Sequence, residues 1–155
     1  MRSTALARAR LDGVDLEDAT LPGAVLVDAN LTATRLAAAL LRGAVLTRAR
    51  MAFVDLEGAD LRDAWLDSVV FHLGSSRSGM VFSPLACEGS RTGFYTDDDQ
   101  HLDSKPIEEI RKANFRRADL RGAHVHDTDW YLVDLRDAQY DPQQGEYFRR
   151  CRAFL

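Results

Sequence analysis

A large apolar residue returns at every fifth position from Leu6 to Phe71 without a gap, and this period limits what the chain can fold into more than any other feature. The centres are Leu6, Leu11, Leu16, Leu21, Leu26, Leu31, Leu36, Leu41, Leu46, Met51, Leu56, Leu61, Leu66 and Phe71. Two places before each sits a small residue, alanine at nine of the fourteen and Val or Thr at the rest. A helix is excluded, because successive centres would be rotated by about 140° and would share no face. A plain strand is excluded as well. Residues two apart point the same way on an extended chain, so the small and the large residue can both face inward, yet the next inward residue comes three later. The chain must turn once every five residues. Turning repeatedly in one sense winds a solenoid, in which each unit buries its apolar surface against its neighbours.

The motif Ala-(Asp/Asn)-Leu-x-x, at Ala29-Asn30-Leu31, Ala59-Asp60-Leu61 and Ala118-Asp119-Leu120, resembles the pentapeptide repeat proteins. The resemblance covers twenty repeats, fourteen before an interruption and six after it, about two-thirds of the chain. It implies an all-β fold: a right-handed quadrilateral β-helix with four repeats per coil. If each coil has four sides, residues stacked on one face should resemble each other at intervals of twenty. They do, in Val14, Thr34 and Val54, and in Gly23 and Gly43. One outward column, Asp15, Arg35 and Asp55, alternates in sign, so that stacked neighbours attract.

The repeats stop at the turn-rich stretch Gly74-Ser75-Ser76-Arg77-Ser78-Gly79 and resume after Lys112. An excursion of this length within a compact domain is functional or carries structure of its own. Met80-Val81-Phe82 and Gly93-Phe94-Tyr95-Thr96 read as short strands. Ser104 to Lys112 reads as a short helix with a Ser cap, an early Pro, acids in its first half and bases at its end. The second block has centres Phe115, Leu120, Val125, Trp130, Leu135 and Tyr140. If it resumes in step with the first, Val133 joins Val14 and Val54, Asp134 joins Asp15 and Asp55, and Gly122 joins Gly23 and Gly43. The stack is then one solenoid of about five coils, roughly 24 Å tall at the usual strand spacing. Asp141-Pro142 starts a helix whose Tyr147, Phe148, Cys151, Phe154 and Leu155 share one face and cap the lower end. The expected organisation is a single domain, 1–155, with repeats over 4–73 and 113–142, an inserted lobe over 74–112 and a C-terminal capping helix over 143–155.

The 155 residues suit one domain, and 46% apolar content is ample for a core. No apolar run approaches the length of a membrane helix, and the start shows no signal peptide, so the expected location is cytoplasmic. Cys87 and Cys151 have no motif spacing, and in that compartment they read as buried thiols. The net charge of −4 forms no basic patch, which excludes direct nucleic-acid binding. Asp15, Glu17, Asp18, Asp55 and Glu57 gather on one face, but Arg35, Arg116 and Arg136 share it, giving a salt-bridged surface. The first coil has nothing in the sequence before it to cover the end of the solenoid, where unpaired backbone is a template for another chain. The possible occupants are the interruption and a second copy.

The outward positions carry the functional clues. One column presents Val25, Val45 and Trp65, and another presents Ala33, Phe53, Leu73 and Leu132, with the two remaining faces polar. Such apolar stripes are covered or are binding surfaces. His124, His126 and Asp127 fall near Trp65, with His72 also in reach, as polar groups for a ligand. No third ligand marks a metal site beside the two histidines, and no catalytic motif or cofactor loop is present. Asp97-Asp98-Asp99 with His101 and Asp103 lacks the glycine and terminal glutamate of a calcium loop. The expected function is non-catalytic protein binding. The resemblance supplies DNA gyrase as a partner, engaged by family members that resemble DNA and act in antibiotic resistance or self-protection. A small-molecule or enzymatic site between the lobe and the apolar faces is one alternative, and a structural module assembling through a solenoid end is another.

Overall fold

The computed structural model describes residues 4–71, 106–128 and 130–155. The expected strands at 80–82 and 93–96, the acidic stretch at 97–103, and His72 and Leu73 lie outside the described residues. Apart from two helices, the described residues form a β solenoid. Residues twenty apart, or fifty-nine apart where the pair spans the break in the repeats, pair in parallel on four sides of the coil. One side runs Ala5, Val25, Val45, Trp65 and His124, and the next Arg10, Asn30, Arg50 and Val70. The third runs Asp15, Arg35, Asp55, Asn114, Asp134 and Phe154, and the fourth Thr20, Leu40, Asp60, Asp119 and Gln139. Most pairings are single-residue bridges. Among the described residues, only Ala113–Asn114 (β1) and Val133–Asp134 (β2) extend to two residues, paired in parallel.

Each side ends in a turn closed from the centre carbonyl to the next small residue, as in Ala9 N–H to Leu6 O at 3.0 Å. The residue before that small one takes positive φ at nearly every repeat, by glycine at Gly13, Gly23, Gly43, Gly58 and Gly122 and by other residues elsewhere. The turn also explains the Asp or Asn of the motif. The residue after a centre has a backbone N–H that the ladder does not use, and where a carboxylate or amide precedes the centre it accepts that N–H. This bond forms from Glu17 to Asp15, Thr32 to Asn30, Glu57 to Asp55, Arg62 to Asp60, Arg116 to Asn114, Arg121 to Asp119 and Arg136 to Asp134.

Inside, Leu26, Leu31, Leu36, Leu41, Leu46, Met51, Leu56, Leu61 and Leu66 are sealed from solvent, with alanines between them. The two buried threonines at small positions satisfy their hydroxyls on the coil before: Thr34 Oγ1 donates to Leu11 O at 2.6 Å and Thr128 Oγ1 to Leu66 O at 2.7 Å. One interior column widens downward through Leu11, Leu31, Met51, Phe71 and Trp130. Trp130 is fully buried, its indole N–H donates to Val125 O at 3.1 Å, and its ring meets Phe71, Phe115 and Phe148 at 5.2, 5.4 and 4.8 Å.

The returning segment carries a four-residue helix, Ile107–Ile110 (α1), that begins after Pro106 and has no side-chain cap. Ser104, expected as that cap, lies outside the described residues. Glu108 binds Arg136 at 2.7 Å and Arg111 binds the buried Asp134 at 3.3 Å, which ties the segment to the third side. The last helix, Pro142–Arg150 (α2), has the expected Asp141 start: the Asp141 N–H donates to Gln144 Oε1 at 2.7 Å in a capping box. It is shorter than expected. After Arg150 the chain turns through Arg152 at positive φ, and Phe154 leaves the helix to pair with Asp134 as a further rung of the third side. Cys151 is buried and disulfide-bonded, against the expectation of a buried thiol. Among the described residues, no helix is long and apolar enough to cross a membrane.

Leu56 lies between Leu36 and Phe115 in the stack with no solvent exposure. Leu56→Ala should therefore cost roughly 2–5 kcal/mol in urea unfolding; a loss under about 1 kcal/mol would contradict its place in the core. Several carboxylates tie stability to pH. Burial pulls the Asp134 carboxyl up, but hydrogen bonds from Arg136 and Arg111 outweigh it and hold the group below its ordinary value. Hydrogen bonds from Arg62 and Arg121 hold Asp60 and Asp119 low in the same way. A carboxylate lowered by folding stabilises the fold above its unfolded value, here 3.8, and that contribution is lost as pH falls towards the folded value. Unfolding free energy should drop from about pH 5 to about pH 3. A value that held steady or rose would refute the role of these pairs.

Candidate functional site

The first side is an apolar column that ends in two stacked rings. Val25 and Val45 are half-buried, and Trp65 follows them with 45% of its surface exposed. His124 pairs with Trp65 through the ladder, donating its backbone N–H to Ala64 O at 2.8 Å and accepting from Leu66 at 2.7 Å. The two rings lie 3.8 Å apart and within 7° of parallel. Stacking of this kind fixes both side chains on a surface whose backbone is already rigid.

His126 occupies the turn below. Its backbone N–H donates to Asp67 Oδ1 at 3.2 Å, and its ring sits 5.8 Å from that of Tyr147 on α2, whose hydroxyl donates to Thr128 O at 3.2 Å. Asp127 takes the positive-φ place of the same turn. His124, His126 and Asp127 are thus neighbours on one exposed side, but the two rings engage different partners. Among the described residues, no group of three or more His, Cys, Asp or Glu could hold a metal ion.

Phe53 and Leu132 stand elsewhere. They occupy the corner between the second and third sides, separated from Trp65 by the column Arg10, Asn30, Arg50 and Val70. The place between them in the stack, expected for Leu73, belongs to Lys112: Phe53 donates to Lys112 O at 2.6 Å, and Lys112 donates to Leu132 O at 2.9 Å. Lys112 Nζ lies 5.1 Å from the centre of the Tyr131 ring. Phe53 has a φ of 58° and Leu132 of 61°, a left-handed backbone costing a non-glycine residue about 1–2 kcal/mol. The turn would be easier with glycine, so the fold supplies no reason for the ring of Phe53, 57% exposed, at that corner.

Three apolar residues are exposed against the sequence reading: Val14, expected inward, Leu155, expected on the packing face of the last helix, and Leu40. Leu40 lies 46% exposed on the fourth side, where the sequence predicts a polar face. The signal was Ala39-Leu40-Leu41, where leucine replaces the Asp or Asn expected before the centre. Tyr147, read only as part of a packing face, also borders the histidines.

A sequence profile described as Pentapeptide repeats matches eight copies, over residues 1–36, 9–48, 24–63 and 111–139, together more than half of the chain. No curated protein matches it. Among solved structures, the chain is similar to Rfr23, a pentapeptide repeat protein from the cyanobacterium Cyanothece 51142. The two are 20% identical over 97% of this chain and 63% of that one, with a TM-score of 0.35. It is also similar to a pentapeptide repeat protein from the Arabidopsis thaliana thylakoid lumen, 18% identical over 94% of this chain and 74% of that one, with a TM-score of 0.38. A third is a trypsin-treated variant of QnrB1, a plasmid-mediated fluoroquinolone resistance protein, 16% identical over 95% of this chain and 62% of that one, with a TM-score of 0.38. The chain spans a little under two-thirds of the length of Rfr23 and of QnrB1.

Removing the stacked imidazole should bare the second face of the exposed indole. His124→Ala should increase acrylamide quenching of tryptophan emission, since Trp130 is sealed inside, while stability changes by about 1 kcal/mol or less. Unchanged quenching would show that His124 does not shield Trp65 in solution.

Proposed function

We propose that this chain, which belongs to the pentapeptide repeat family, is a non-catalytic protein-binding module that presents its Val25, Val45, Trp65 and His124 face to another protein. The observation that carries the reading is the exposed indole, held by its stacked histidine on a rigid ladder. Aromatic anchors on a pre-organised surface are what protein interfaces concentrate their binding energy on, because little entropy is lost in ordering them.

DNA gyrase is the partner to test first, as the resemblance to resistance and self-protection members of the family implies. A DNA-like acidic surface would lie on the third side. There Asp15 and Glu17 are bound to Arg35 at 3.2 and 2.7 Å, and Glu57 is bound to Arg117 at 3.5 Å. This neutralisation favours the apolar side as the contact. The reading takes residues 4–73 and 113–142 as one right-handed solenoid of about five coils in a single domain, residues 74–112 as an inserted lobe, and residues 143–155 as its terminal cap. Binding to gyrase requires a cytoplasmic location. The disulfide at Cys151 is of the kind that persists in oxidising compartments, so the redox state of Cys151 in cells bears directly on that choice.

The test is a supercoiling assay with bacterial gyrase, with and without a fluoroquinolone, comparing intact protein with Trp65→Glu. Intact protein should alter supercoiling or the drug's effect, and the substitution should weaken this at least about tenfold, as for an interface anchor. No effect of intact protein removes gyrase as the partner. An effect that survives Trp65→Glu removes this face as the contact.

A further inference from the structure

The outer edge of the first coil carries an observation that the apolar face does not absorb. In the second coil, Val25, Asn30, Arg35 and Leu40 each direct both backbone polar groups towards the first; Val25 donates to Thr4 O at 2.9 Å and accepts from Leu6 at 2.8 Å. Ala5, Arg10, Asp15 and Thr20 hold the same ladder positions one coil earlier. Each therefore presents an N–H and a C=O outward, and among the described residues none of these groups is bonded. Inside that frame Leu6, Leu11, Leu16 and Leu21 are only partly buried, whereas the leucines directly beneath them are sealed.

We propose that two copies of this chain meet head to head through this face, independently of whether the Trp65 side binds a partner. The opposite end cannot supply the matching surface. There Gln144 Nε2 donates to Leu120 O and Ala123 O, both at 2.8 Å, and Phe154 adds a rung beneath Asp134. That excludes a head-to-tail stack and leaves a closed, twofold contact. Two solenoids of one hand related by such an axis run antiparallel where they touch. A residue offering N–H and C=O on the same side is the unit of a hydrogen-bonded antiparallel pair.

Charge selects the register. A twofold axis can map the four sides onto those of the second copy in four ways. One sets Asp15 against Asp15 and one sets Arg10 against Arg10, which repel. A third sets Ala5 against Arg10 and Asp15 against Thr20, with no charge pair. The fourth sets Arg10 against Asp15 of the second copy twice over and Ala5 against Thr20, and brings Arg8 at one corner to Glu17 and Asp18 at another. Asp12 meets its own counterpart on this axis, with Arg10 of the same chain 3.9 Å away. The contact also buries the four half-open leucines, an apolar centre inside a polar frame.

Light scattering and sedimentation over a range of concentrations test the proposal, with circular dichroism to confirm folding. Intact protein should reach twice its monomer mass of 17.3 kDa. Arg10→Glu and Asp15→Arg should each lose the dimer, and an equimolar mixture of the two should regain it, because both contacts then carry opposite charges. Arg10 is almost fully exposed, so Arg10→Glu decides alone if Asp15→Arg, beside Arg35, does not fold. A monomer at every concentration, a dimer indifferent to Arg10→Glu, or a mixture of folded variants that stays monomeric would each overturn it.

Discussion

The backbone ladder between coils is the constraint on which everything else here depends. Of the five N–H groups in a repeat, those of the centre and of the positive-φ residue reach the following coil, as Leu6 reaches Val25 O and Arg8 reaches Val27 O. The N–H before the centre reaches the preceding coil, and that of the small residue closes the turn. One is left, and an Asp or Asn before the centre takes it where the repeat has one. Backbone polar groups in the interior have to be satisfied, and the ladder and the turn together satisfy them at every repeat. The interior then admits only side chains that fill a square of fixed width, which is why leucine and alanine dominate it.

Because the ladder settles the frame, an outward residue that accepts no backbone hydrogen bond is free of structural duty, and departures there are informative. The ion pairs along the third and fourth sides repeat from coil to coil and behave as a solvated surface. Trp65 and Phe53 break that pattern. One is a large ring where an acid or a small residue would serve, and the other is a ring on a strained backbone position. They stand on different parts of the surface, so they do not combine into one concave site.

The two ends of the stack solve the same difficulty differently. At the lower end the interior column grows from leucine to tryptophan, and α2 brings Phe148 against that ring while Gln144 bonds the Ala123 carbonyl, which lacks a further coil, together with that of Leu120. At the upper end, among the described residues, the leucines and the backbone stay open. An exposed ladder edge over a half-open apolar centre invites another chain to continue it.

The period of five and the echo at twenty were enough to determine a four-sided solenoid, its inward residues and the sides on which Trp65, His124 and Asp15 stand, because position along such a chain is equivalent to position in space. The same reasoning found the start of α2, where Asp141 and Pro142 leave few alternatives. It failed wherever a contact joins residues outside the period. Lys112 holds the place expected for Leu73, Phe154 returns to the ladder instead of extending the helix, and Cys151 is disulfide-bonded. The stacking of His124 on Trp65, and the division of the apolar residues between a side and a corner, were likewise decided only by the tertiary structure. A repeat specifies which residues lie above one another; how side chains and insertions meet across the surface depends on the three-dimensional packing of segments that the period does not relate.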